Sequence, residues 1–75
     1  MSFESTLKAA QQGNVIAQYN LGWMYDTGNN VDKNFVKAFF WYEKSANQGS
    51  ALAQNNLGLM YEFGRGTPRD YKKAF

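Results

Sequence analysis

The sequence contains no cysteine and no histidine, and Pro68 is its only proline. Without cysteine no disulfide can constrain the unfolded chain. Without cysteine and histidine the commonest metal ligands are missing, so no metal or other cofactor is expected. Ser2, Ser5, Ser45 and Ser50 have no imidazole to act as general base, which excludes a Ser-His-Asp arrangement. Long apolar runs are also absent. No stretch approaches the roughly 20 residues of a membrane span, and MSFESTLKAAQQG lacks the apolar segment of a signal peptide. The expectation is a soluble, cytoplasmic chain. Nor is there a strong excess of one charge. Eight Lys+Arg oppose six Asp+Glu, for a net charge of +2. Nucleic acid demands a more concentrated basic face and is not expected as a partner.

What the sequence does have is packing material: 44% hydrophobic residues and 17% aromatic ones, Trp23 and Trp41 included. At 75 residues it makes one domain, so stability must come from burial.

The chain repeats itself every 36 residues. AQYNLGWMYDTG at 17–28 is answered by AQNNLGLMYEFG at 53–64, and 16 of the 39 comparable pairs are identical. A fixed period between about 20 and 50 residues marks a stacked array. Apolar spacing supplies the shape of each unit. Ala17, Leu21, Met24 and Tyr25 form one helical stripe, with Ala53, Leu57, Met60 and Tyr61 as its copy. Phe35, Ala38, Phe39, Tyr42 and Ala46 form a second stripe, and Phe3, Leu7 and Ala10 an earlier partial one. Gly13, Gly28, Gly49 and Gly64 punctuate the helices, and Asn14, Asn34, Ser50 and Asp70 suit their N-caps. Helices are predicted over 3–12, 15–27, 35–48, 51–63 and 70–75. The fold class is all-α: an α/α solenoid of antiparallel helix pairs, a tetratricopeptide-like superhelix. It divides into a partial leading helix (1–13), a first repeat (14–49) and a truncated second repeat (50–75).

A-x-x-x-L-G-x-M-Y-x-x-G at 17–28 and 53–64, followed by K-A-x-x-W-Y-x-K-x-A-x-Q-G at 37–49, resembles the Sel-one-like repeat family. The segment GRGTPRDYKKA at 64–74 is similar to that family's loop into its second helix. The first loop departs from it, with Asn30 and Asp32 where the second has Gly66 and Pro68. Some relatives carry a disulfide in each repeat, which this chain cannot. The resemblance implies a helix-pair solenoid that mediates protein–protein interaction.

Candidate chemistry is thin. Gly64-Arg65-Gly66 follows a helix and lacks a third glycine, so it reads as a turn and not a phosphate loop. Asp26 and Glu62 are repeat equivalents about 10 Å apart if the helices stack, but nothing else supports a glycosidase pair. The reading is that the protein is not an enzyme. Gly22 and Gly58 sit in mid-helix at a cost of about 1 kcal/mol each against Ala, which points to close helix approach. Trp41, off the centre of its stripe, should pack between helices. Arg65, Arg69, Lys72 and Lys73 read as a solvated face.

On a helical wheel, Ile16, Tyr19, Trp23 and Asp26 lie opposite the stripe of Ala17, and Leu52, Asn55, Leu59 and Glu62 repeat them. First helices of such solenoids line the concave surface. The candidate partner-binding residues are therefore Tyr19, Trp23, Asp26, Asn55, Leu59 and Glu62, with Arg65 and Arg69 at the rim. The alternative for Trp23 is packing on the leading helix or on a second copy. The function this supports is an adaptor or scaffold that holds a protein or peptide. The alternative is a small inhibitor, such as a bacterial immunity protein that neutralises a toxin or enzyme, and a more remote one is an enzyme. At the C-terminal end the last helix leaves Leu57, Met60 and Tyr61 partly uncovered. Further repeats, a homodimer or a partner would each cover them.

Overall fold

The computed structural model describes residues 2–74. Five helices follow one another: α1 (Phe3–Gln11), α2 (Val15–Thr27), α3 (Phe35–Asn47), α4 (Ala51–Phe63) and α5 (Tyr71–Ala74). Among the described residues there is no strand. Each helix packs on its neighbours in sequence, so the chain is an α/α solenoid of helix pairs.

The caps explain where the helices start and stop. Asn14, Asn34 and Ser50 each accept a hydrogen bond from the backbone N–H three residues on, at 2.9, 3.0 and 3.1 Å. Such a cap contributes about 1 kcal/mol. Asp70 does the same for α5, accepting from the N–H groups of Lys72 and Lys73. Gly28 and Gly64 end α2 and α4 in the left-handed conformation, at φ 73° and 65°. That region is open to glycine without steric cost. Helices α1 and α3 stop one residue short of the predicted 12 and 48, because Gln12 and Gln48 serve as C-caps. The last predicted helix, 70–75, is found over Tyr71–Ala74, and Phe75 lies outside the described residues.

The 36-residue period reappears as physical contacts. The Gln18 amide donates to the Ala10 carbonyl at 3.1 Å, and the Gln54 amide to the Ala46 carbonyl at 3.2 Å. Phe3 meets Tyr25 edge to face at 5.8 Å, and Phe39 meets Tyr61 at 5.5 Å. Lys37 lies over Tyr25 and Lys73 over Tyr61, both at 5.5 Å. Geometries of this kind add to plain burial, by about 0.5–1.5 kcal/mol for an aromatic pair.

The core centres on Leu21, Met24, Ala38, Tyr42, Ala53 and Met60, with Ala10 at the edge of α1. Gly22 faces the Tyr42 ring so closely that an added Cβ would sit 2.6 Å from Cδ1. Gly58 faces the Ala74 carbonyl in the same way, at 2.7 Å. Both mid-helix glycines thus mark close approach. Trp41 is half-buried against the flank of the core and edge-on to Phe40 at 5.1 Å. Leu57 and Tyr61 are half-buried, whereas their counterparts Leu21 and Tyr25 are buried. The cause is cover: α3 lays 13 residues on one side of α2, whereas the described α5 offers α4 only four.

Candidate functional site

Helix α2 is the middle helix of the first three, with α1 on one side and α3 on the other. Its buried arc is consequently wider than the apolar stripe. Gln18 and Gly22 are buried together with Ala17, Leu21, Met24 and Tyr25. Gln18 is satisfied there, because it also accepts from the Gln48 amide at 2.8 Å.

What remains of α2 looks outward beside α4. The two helices are linked where the Asn56 amide donates to the Tyr19 hydroxyl at 3.4 Å. Ile16 is 71% exposed and Leu52 63%; Trp23 is 39% exposed and Leu59 45%. These four occupy equivalent positions of the two repeats, two on each helix. Asn55 is exposed as well, and Asp26 and Glu62 are half-buried. Exposed apolar residues grouped like this are a feature of interaction surfaces, whereas scattered ones are ordinary.

Tyr19 and Trp23, both candidate contact residues, differ in exposure. Tyr19 is half-buried, its ring 5.8 Å from that of Tyr42, while Trp23 stays at the surface. Behind the face, the Tyr42 hydroxyl donates to Asp26 Oδ2 at 3.2 Å. Burial raises the Tyr42 pKa well above the ordinary phenol value, and the Asp26 charge adds to the rise. Tyr42 therefore stays protonated and holds the Asp26 carboxylate from behind.

Arg65 and Arg69 are exposed but engaged with their own chain. Arg65 lies over Phe35 at 5.3 Å and over Phe63 at 5.4 Å. Arg69 donates through Nε to the Glu62 carbonyl at 3.2 Å and lies over Tyr71 at 5.2 Å. The roles of Tyr42 behind Asp26 and of Asn56 beside Tyr19 were missed in the sequence. A signal existed for Asn56, since asparagine recurs at Asn20 one period earlier. Among the described residues there is no enclosed pocket and no cluster of acidic side chains arranged to hold a metal ion. No described helix is long and apolar enough to cross a membrane.

The family model described as Sel1 repeat matches residues 15–50 and again residues 51–75. The chain belongs to the Sel1 repeat family. This Sel1 repeat chain is 43% identical to a Sel1 repeat protein from Oxalobacter formigenes of known structure, with a TM-score of 0.91 over 96% of this chain and 30% of that one. The same identity, score and coverage of this chain relate it to c5321, a protective antigen of uropathogenic Escherichia coli with the same fold, of which it covers 15%. It is also 41% identical over 44 residues to a chitin synthase regulator of Saccharomyces cerevisiae, matching 59% of this chain. A putative sel1-like repeat-containing protein of Acanthamoeba polyphaga mimivirus is 48% identical over 42 residues, or 56% of this chain. The match spans only 6% and 7% of the length of these two curated relatives. Sel1 repeats generally form protein-interaction scaffolds.

Proposed function

We propose that this Sel1 repeat chain is an interaction module that takes a protein or peptide segment on the face shared by α2 and α4. Trp23, Asp26, Asn55, Leu59 and Glu62 make the contacts, Tyr19 braces the two helices from within, and Arg65 and Arg69 form the rim. The observation that carries this reading is the exposure of the repeat equivalents Ile16 and Leu52, and Trp23 and Leu59, on α2 and α4. A pre-formed helical surface limits the entropy lost on binding, and half-exposed aromatics make strong anchors. The kinship with a chitin synthase regulator is in keeping with a role exerted through another protein. On another side of α4, the half-buried Leu57 and Tyr61 leave surface for further repeats or a second copy of the chain.

The test is Trp23→Ala. Because Trp23 is 39% exposed and lies outside the core, the variant should keep its helical circular dichroism and melt cooperatively, at a lower temperature that reflects the covered part of the ring. Partners captured by the wild-type protein should be depleted severalfold. Full retention of every partner would place the binding surface elsewhere.

A further inference from the structure

Charge is distributed unevenly between the two kinds of helix. Helices α2 and α4 contain one carboxylate each, Asp26 and Glu62, and none of the eight cations of the chain. All eight lie on α1, α3 and α5 or on the loops that lead into α3 and α5. Six of them are held over aromatic rings of the chain itself, at 5.0–5.5 Å. Among the described residues none lies over Trp23, although an indole face attracts cations more strongly than any other side-chain ring.

The acids also stand in a fixed relation to the apolar anchors. Asp26 follows Trp23 by three residues, and Glu62 follows Leu59 by three, so each anchor and its acid share one side of a helix. The face therefore repeats the same couple twice, a bulky apolar group beside a carboxylate. In the first couple the carboxylate is already oriented by the Tyr42 hydroxyl at 3.2 Å.

We propose, building on the binding reading above, that the partner is a cationic–apolar peptide segment in extended conformation. Its Lys or Arg side chains pair with Asp26 and Glu62, and its apolar side chains lie on Trp23 and Leu59. The segment places its two cations so that they reach both acids, with apolar residues beside them.

The probe is a displayed library of random 12-residue peptides selected on the immobilised full chain. The peptide most enriched is then titrated against the wild type, Trp23→Ala and the double variant Asp26→Asn/Glu62→Gln. Asn and Gln keep an acceptor oxygen, so the Tyr42 hydrogen bond survives, and thermal melting verifies that each variant is folded. The expected winners combine Lys or Arg with bulky apolar residues. The double variant should bind them roughly two- to twenty-five-fold more weakly, since each of the two pairs contributes up to about fivefold. Higher salt should narrow that difference. Acidic or neutral winners, or unchanged binding to the double variant, would overturn the charge pairing. If such winners still fail on Trp23→Ala, the face is right and only its proposed partner is wrong. A library with no enriched peptide would sink both.

Discussion

Gly22→Ala isolates the contact at the centre of the array. In an isolated helix the change would be favourable by about 1 kcal/mol, because Ala loses less backbone entropy. Gly22 has an ordinary helical backbone, so no conformational strain opposes it. Space does. The new methyl would lie 2.6 Å from Cδ1, 2.8 Å from Cε1 and 3.0 Å from Cγ of Tyr42. Normal contact needs more than about 3.5 Å, so the ring or the helix must give by close to an ångström. Tyr42 has little room for that: it is fully buried and its hydroxyl is tied to Asp26. Overpacking a tight core costs about 1–3 kcal/mol, and a locked ring belongs at the upper end. The net expectation is a loss of about 2 kcal/mol, or a fall in Tm of roughly 8–16 °C for a domain of this size. Urea denaturation and thermal melting both read it. Gly58→Ala is the internal control. Its new methyl would meet the Ala74 carbonyl at 2.7 Å, but the four-residue α5 can shift away more cheaply than a core aromatic. Its loss should be the smaller of the two. A Gly22→Ala variant as stable as the wild type would refute the claim that α2 and α3 meet through this glycine.

Two further predictions concern buried polar groups. Gln18→Leu removes a buried amide that donates to the Ala10 carbonyl and accepts from Gln48. Leaving these groups unpaired should cost about 1–3 kcal/mol in chemical denaturation, and a neutral outcome would mean that water replaces the bonds. The second concerns alkaline pH. The folded state raises the Tyr42 pKa above that of the unfolded chain, through burial and then the Asp26 charge. The resulting stability is complete below the ordinary phenol value of about 10 and is lost as pH rises above it. Alkaline unfolding followed by circular dichroism should show this loss, and Tyr42→Phe should lessen the slope.

The period of 36, the caps and the two apolar stripes were enough to infer helix pairs, because these are local properties of spacing and side-chain type. Asn14, Asn34 and Ser50 cap the helices that their positions suggest, and Leu21 and Tyr42 are buried where the stripe puts them. The resemblance to the Sel1 repeat was equally local. The candidate face was legible in part. Trp23 and Leu59 are exposed, as the wheel indicates, but Tyr19 is drawn inward by Tyr42 and Asn56.

Beyond the helix pairs, a helical wheel divides each helix into two sides, so for the face the primary sequence determined only which residues prefer a neighbour over water. Tertiary structure decided how many neighbours each helix has. With α1 and α3 on its flanks, α2 buries Gln18 and Gly22 besides its stripe, and Tyr42 comes to stand behind Asp26. Those outcomes depend on residues 8 to 30 positions apart meeting in space, which no local pattern encodes.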